Sequence, residues 1–271
     1  EFPRASVLRA RAETALEREA PAPEALVAYF DRNPPQGNLA RARYALALAT
    51  VQRPEAREMA RSAWRGGRVG ETSEAYLLGL FAGAFTQDDN DARMEALLWQ
   101  GADHAAERHL PMTSPGKRDL FGKRLALLRD NLPQDDGIAI PRAALDQPGV
   151  VYNLVRYYRK KQQLQQAAAI LASRPRFSSL PHDATDVVNE MLLAARAAGP
   201  RDAARIAASV DDLFAPEEDI SERSFRLRDK YTDLMWLGGT EALWKLGDGA
   251  TAAPLFYRYG AAAKTPLTRA K

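Results

Sequence analysis

Apolar residues recur along this chain with the period of an α-helix. In the clearest segments they are three or four residues apart, so they lie along one side of a helix. Three such stripes are Val150, Val151, Leu154, Val155 and Tyr158; Val187, Val188, Met191, Leu192 and Ala195; and Phe121, Leu125 and Leu128. Strict alternation of apolar and polar residues, the mark of a strand, never extends beyond a few residues. The pattern predicts an all-α protein.

Proline, glycine and capping residues divide the pattern into segments of about 11 to 20 residues. Pro21 and Pro23 predict the end of one helix and the start of the next. Asn38 and Thr86 predict N-caps, and Pro54 predicts a further helix start. We therefore expect about thirteen helices with short connections.

One local pattern recurs, a glycine followed shortly by a pair of alanines. It occurs as Gly101 with Ala105-Ala106, as Gly199 with Ala203-Ala204, and, with one extra residue, as Gly247 with Ala252-Ala253. We expect each glycine to end a helix in a tight turn, and each alanine pair to let the next helix approach closely. Repeated units of this kind predict an irregular α-solenoid, a superhelix of stacked helix pairs. Independent helical bundles that share one type of turn are the alternative.

The loosest stretch of the chain is residues 131–149, which contains three prolines and two glycines. We expect residues 1–131 to form an N-terminal part of the solenoid and residues 132–149 to form a loose connector. Residues 150–271 would then form a second part of the same superhelix.

Composition and charge narrow the class of protein further. The 271 residues are 46% hydrophobic and 27% charged, values typical of a globular protein rather than a disordered or collagen-like one. No apolar run approaches the roughly 20 residues of a membrane span, so we expect none. The net charge of +3 comes from basic and acidic residues interleaved along nearly every segment. Nucleic-acid binding is not expected, because its cations usually form a stripe.

The residues that usually bind metals or act as nucleophiles are scarce. The chain has no cysteine, which excludes disulfides, thiol catalysis and zinc–thiolate sites. It has three histidines, of which His104 and His109 are five residues apart. That spacing places them about 140° apart around a helix, so they cannot bind one metal together.

No sequence motif for catalysis or cofactor binding stands out. Asp88, Asp89 and Asp91 lack the turn glycine and distal glutamate of an EF-hand loop, so they are better explained as acids at a helix start. The glycine-rich residues 65–70 lack the Gly-Lys-Ser/Thr ending of a phosphate-binding loop. We expect no catalytic residue, no metal site and no cofactor in this chain.

Two groups of side chains are candidates for binding. The four tryptophans, Trp64, Trp99, Trp236 and Trp244, lie at or near apolar stripes, which favours core packing over sugar-stacking platforms. On the helix of the first stripe, the opposite side carries Tyr152, Arg156, Arg159 and Lys160. An aromatic ring with three cations suits an anionic or sugar-containing polymer, although a solvated helix surface is the simpler interpretation.

Several segments, taken in order, resemble one known family. FTQDDNDARMEALLWQGADHAAERHL, residues 85–110, resembles the N-terminal superhelical region of soluble lytic murein transglycosylases. The pattern that carries the likeness is Arg93, Leu97, Leu98, Trp99, Gly101, Ala105 and Ala106.

Two later segments extend the resemblance, which covers the chain from about Glu71 onward. Residues 150–175 are similar to the next helical pair of that region. Residues 228–271 are the closest match, through the Trp-Leu-Gly-Gly run at 236–239, the Leu-Gly-Asp run at 246–248 and the final Thr-Arg-Ala-Lys.

Membership of this family would imply a ring- or horseshoe-shaped superhelix that supports a lysozyme-like domain. That domain cleaves the MurNAc–GlcNAc bond with a single catalytic glutamate and leaves 1,6-anhydro ends. Its markers, a Glu-Ser pair and a Gly-Leu-Met-Gln stretch, do not occur here. The resemblance thus implies a non-catalytic scaffold, which binds peptidoglycan strands weakly and partners a C-terminal catalytic domain outside this chain.

The resemblance also implies a compartment, the periplasm. Residues 1–4 have no initiator Met and nothing like a signal peptide, so we expect that any secretion signal was removed. The alternative to this interpretation is a helical-repeat adaptor that binds another protein and has no link to the cell wall. The sequence that follows Lys271 in the full gene would distinguish the two.

Overall fold

A computed structural model of the chain describes residues 5–19, 21–130 and 140–264. All the secondary structure within these ranges is helical, which confirms the all-α prediction. They contain fourteen α-helices, one more than expected: α1 (Ala5–Glu19), α2 (Pro23–Arg32), α3 (Asn38–Thr50), α4 (Ala56–Arg65), α5 (Glu71–Phe81), α6 (Gln87–Trp99), α7 (Asp103–His109), α8 (Pro115–Arg129), α9 (Pro148–Lys160), α10 (Leu164–Ser173), α11 (Ala184–Ala197), α12 (Pro200–Ala208), α13 (Phe225–Thr240) and α14 (Gly249–Ala262). Among the described residues, no helix combines the length and apolar character needed to cross a membrane.

The chain divides into two compact units, Glu1–Leu125 and Ala126–Lys271. In the first unit, α3 packs on α2 and α4, and α6 packs on α4 and α7. In the second unit, α10 packs between α9 and α11, and α13 packs on α11, α12 and α14. Each unit is thus built mainly from contacts between helices that are close in the chain, as a stack of helix pairs is.

The predicted connector, residues 132–149, falls partly outside the described residues. In its described part, Arg142–Asp146 form a 3₁₀-helix and α9 begins at Pro148. The final Thr-Arg-Ala-Lys of the sequence also lies outside the described residues.

The start of α6 follows the sequence prediction. Thr86 is the N-cap: its hydroxyl accepts a hydrogen bond from the Asp89 backbone N–H, and the Asp89 carboxylate accepts one from the Thr86 backbone N–H. This reciprocal capping box satisfies two N–H groups that a helix start otherwise leaves unpaired.

Two other helix starts differ from the prediction. Asn38 is the first residue of α3 and Gly37 is its N-cap. The Asn38 amide instead donates to Ala63 O at 3.0 Å and to Arg68 O at 2.8 Å, so it links α3 to the end of α4. Helix α4 begins at Ala56, two residues later than Pro54 predicts.

The glycine–alanine turns are only partly as predicted. Gly101 and Gly247 follow helical segments with φ of 67° and 66°, a left-handed conformation that glycine adopts without strain. Gly199 differs, because it has φ of −70° and is the N-cap of α12. Of the alanines, Ala204 is buried between helices, whereas Ala105 is only half-buried.

A glycine inside α13, Gly238, makes a close helix contact in the second unit. A Cβ atom added to Gly238 would lie 2.3 Å from the Cβ of Ala207 on α12 and 3.3 Å from Leu255 Cδ1 on α14. Only a hydrogen at this position lets α13 fit between its two neighbours.

We predict that Gly238→Ala lowers the free energy of unfolding by about 1–3 kcal/mol, because the added methyl overpacks the contact with Ala207. The matched control is Gly79→Ala in α5, where an added Cβ has no neighbour within 4 Å. The control should be unchanged or up to about 1 kcal/mol more stable, because alanine favours a helix over glycine. Urea denaturation measures both, and equal midpoints for the two variants would contradict this packing.

Candidate functional site

Trp64, on α4, is the centre of a buried cluster in the first unit. The Phe85 ring lies parallel to it at 4.5 Å between centroids, and the Arg93 guanidinium carbon lies 3.6 Å from the indole centroid. Its Nε1–H donates a hydrogen bond of 2.9 Å to Asn90 Oδ1. Trp64 is a core residue, as predicted.

The cation in this cluster, Arg93 of α6, is fully buried. Its Nη2 lies 2.9 Å from Glu74 Oε2, and its Nε and Nη1 have no hydrogen-bond partner among the described residues. Burial lowers the pKa of Arg93 to about 10, so the side chain is still charged at neutral pH. A charge held by one carboxylate and an indole face is a packing element, since no solvent reaches it.

His109, on α7, completes the cluster. Its ring lies edge-on to Trp64, and its Nε2 is 2.8 Å from Asn90 O. Because a carbonyl only accepts, the neutral imidazole carries its proton on Nε2. Burial lowers the pKa of His109 to about 4, so the ring is neutral near pH 7. His104, in contrast, is exposed.

The aspartates at the start of α6 pair with cations of the protein itself. Asp89 is buried and contacts Arg61 Nε at 3.1 Å and Arg65 Nη1 at 2.8 Å. Burial alone would raise the pKa of Asp89, but hydrogen bonds from Arg61, Thr86 and Arg65 hold it well below its usual range. Asp89 thus lies in the first turn of α6, as predicted, and also links α6 to α4.

Asp91 has a similar structural role. Its carboxylate accepts hydrogen bonds from Ser114 N at 2.8 Å and Ser114 Oγ at 2.7 Å, and it pairs with Lys117. Within the described ranges, no three His, Asp or Glu side chains come together in a group that could hold a metal ion.

The predicted aromatic and cationic surface of α9 is largely covered by its neighbour α11. Tyr152 is only 6% exposed, and its hydroxyl donates to Asp186 Oδ2 at 3.3 Å. Burial raises the pKa of Tyr152 to about 12. Tyr152 therefore does not lie on an open helix surface as a binding residue would, because the first two turns of α9 are buried on every side.

The three cations of the same helix differ in accessibility. Arg159 donates two hydrogen bonds to the buried Glu190, at 2.8 and 2.9 Å. Arg156 is half-buried over the Tyr152 ring, with 5.1 Å to the centroid, and Lys160 is exposed. Arg156 and Lys160 are the two members that a ligand could reach most easily, and their role in binding stays a prediction.

The other tryptophans divide between core and surface. Trp99 is buried, and Trp236 is half-buried against Phe256 and Tyr259. Trp244 is 72% exposed, so the prediction of core packing is wrong for this residue. Trp244 lies in a π-helical turn, Glu241–Lys245, and residues 243–247, which span the end of this turn, are all exposed.

The structure reveals one groove that the sequence reasoning missed. It lies between α12 and α14, encloses about 460 Å³ and has Arg201 and Arg205 on one wall. The signal in the sequence was two arginines four residues apart, which share one side of a helix and repel each other.

Comparisons with known proteins identify no relative. The chain matches no family model, no curated protein and no solved structure.

The buried His109 predicts a loss of stability in mild acid. Its pKa in the folded chain is about 4, below the ordinary 6.5, so the unfolded chain takes up the proton first as the pH falls. Its stabilising contribution is complete above about pH 6.5 and declines toward pH 4. Between pH 7 and pH 5, we expect the free energy of unfolding to fall by about 2 kcal/mol more in the natural chain than in His109→Gln.

Urea denaturation at the two pH values measures this difference. His104→Gln is the control, because it removes an exposed histidine of the same helix and leaves the buried cluster in place. If the natural chain and His109→Gln lost the same free energy between pH 7 and pH 5, His109 would not be buried as a neutral ring.

Proposed function

We propose that this chain is the non-catalytic superhelical part of a periplasmic lytic transglycosylase that acts on peptidoglycan. It would hold glycan strands weakly and support a lysozyme-like catalytic domain that lies outside this chain. The observation that carries the proposal is the order of three segments, residues 85–110, 150–175 and 228–271, each of which resembles the corresponding segment of that family.

The positions of the first segment's residues support a scaffold role. Arg93 is buried against Trp64, Leu97 and Leu98 are fully buried, and Gly101 forms the left-handed turn after α6. These side chains fix the packing of α6 on its neighbours rather than facing a ligand. A resemblance carried by such residues is one of architecture, which is what a scaffold would share with its family.

The closing segment has the same character. Gly238 fits closely against Ala207, and a Cβ added to Gly239 would lie 2.8 Å from the Phe256 ring. Asp248 caps α14 by accepting a hydrogen bond of 2.9 Å from Thr251 N. The motif residues of this segment also determine how helices pack and begin.

One observation favours the alternative, an adaptor that binds another protein. Helix α5 is strongly apolar, yet its Tyr76 and Leu80 are 60% and 61% exposed. Gly79, between them, has open space around it. An apolar helix surface of this kind could take a partner helix, with or without a cell-wall role.

The proposal predicts salt-sensitive binding to the cell wall without cleavage. Purified chain should sediment with peptidoglycan sacculi at low salt and be released at high salt, because exposed charge contacts are weak and screened. It should release no anhydro-muropeptides detectable by mass spectrometry. Chitin, a neutral glycan without peptide stems, is the control particle and should retain less protein.

The same assay tests the α9 surface. Arg156→Ala with Lys160→Ala leaves the Arg159–Glu190 pair intact, so reduced sedimentation would implicate the surface itself. If the natural chain does not sediment at low salt, the scaffold proposal is contradicted and the protein-binding adaptor is the function that remains. Anhydro-products that one Glu substitution abolishes would contradict the non-catalytic assignment.

A further inference from the structure

The groove between α12 and α14 has two walls of different chemistry. Arg201 and Arg205 of α12 form one wall, and Leu246, Asp248 and Thr251 contribute the other. Its volume of about 460 Å³ suits a ligand of one or two sugar rings.

The arginine wall of the groove is positively charged. Arg201 and Arg205 are exposed and one helical turn apart, and neither guanidinium has a hydrogen-bond or ion-pair partner among the residues that the structure describes. Three other arginines of the second unit, Arg159, Arg174 and Arg196, each pair with a carboxylate. Two like charges at this spacing repel, so an anion that contacts both would be favourable.

The opposite wall presents an acceptor. The Asp248 carboxylate accepts hydrogen bonds from Thr251 N at 2.9 Å and Thr251 Oγ1 at 2.6 Å, so it caps α14 instead of neutralising the arginines. These hydrogen bonds lower its pKa, which keeps it negative. A ligand that fits both walls carries an anionic group at one end and hydroxyl or amide donors at the other.

An exposed aromatic residue is close in sequence to the residues that line this groove. Trp244 is two residues before Leu246 and belongs to the π-helical turn Glu241–Lys245. π-Helical turns interrupt regular helices and occur often at functional sites. An indole that is largely exposed offers an apolar face on which a sugar ring can pack.

We propose that the α12–α14 groove binds a saccharide that carries a carboxylate. Arg201 and Arg205 contact the carboxylate, and Asp248 accepts from a hydroxyl or amide N–H. Trp244, two residues before the groove residue Leu246, packs on the sugar ring. The identification of that sugar as N-acetylmuramic acid, the carboxylate-bearing sugar of peptidoglycan, rests on the proposed function.

Two sugars that differ in one group test this inference. N-acetylmuramic acid is N-acetylglucosamine with an added lactyl ether, which carries the carboxylate. In ligand-observed NMR titrations of the full chain, N-acetylmuramic acid should bind roughly tenfold more tightly than N-acetylglucosamine. The preference should shrink at high salt.

Three variants assign the binding to the groove. Arg201→Ala with Arg205→Ala should abolish the preference, and Trp244→Ala should weaken the binding of both sugars. Arg57→Ala with Arg176→Ala removes two exposed arginines elsewhere and should bind as the natural chain does. Circular dichroism checks that each variant is folded.

The inference is overturned by equal affinity of the natural chain for the two sugars, by an unchanged preference in the Arg201/Arg205 variant, or by an unchanged affinity in Trp244→Ala. These failures are distinct from failure of the proposed function. If the chain sediments with sacculi but lacks the sugar preference, the scaffold proposal stands and the groove inference is wrong. If the chain prefers N-acetylmuramic acid but does not sediment with sacculi, the groove inference stands and the scaffold proposal is wrong.

Discussion

An arginine–carboxylate pair in which at least one side chain is buried recurs between neighbouring elements of both units. The pairs are Arg61–Asp89, Arg93–Glu74, Arg159–Glu190 and Arg174–Asp212, and their members are 19 to 38 residues apart in sequence. A charge removed from water is costly unless its partner is correctly placed, so each pair penalises any shift of one helix along the next. A chain rich in small alanines has few large side chains to fix that register. We infer that these pairs do so, and that the surfaces proposed for binding depend on it.

Much of the fold was predictable, because helical periodicity and helix-ending residues are local signals. The apolar stripes of Val150/Leu154 and Val187/Met191 are buried, and Thr86 caps α6, as the sequence predicted. The errors came from contacts that are distant in sequence. Asn38 resembles a cap from its neighbours alone, but its amide bonds to backbone carbonyls 25 and 30 residues later.

The candidate site was less predictable for the same reason. The arrangement of residues around one helix shows which side chains share a side, but not whether another helix covers that side. Tyr152 and Arg159 were placed together correctly on α9. Their polar groups, however, already donate hydrogen bonds to Asp186 and Glu190 of α11. For Trp244 the error was the opposite: a residue predicted to be buried is exposed. It lies in a π-helical turn that no residue pattern here signalled.

A double-mutant cycle at Arg174 and Asp212 tests most directly whether buried charge pairs hold the helices in register. The Arg174 guanidinium donates to both carboxylate oxygens of Asp212, at 2.7 and 2.8 Å, and packs on the Phe177 ring. By urea denaturation, Arg174→Met and Asp212→Leu should each cost about 3–5 kcal/mol, because each leaves a buried charge unpaired. The double variant should cost at least about 2 kcal/mol less than their sum. Losses that add to within about 0.5 kcal/mol would show that the pair is not coupled and would contradict its role.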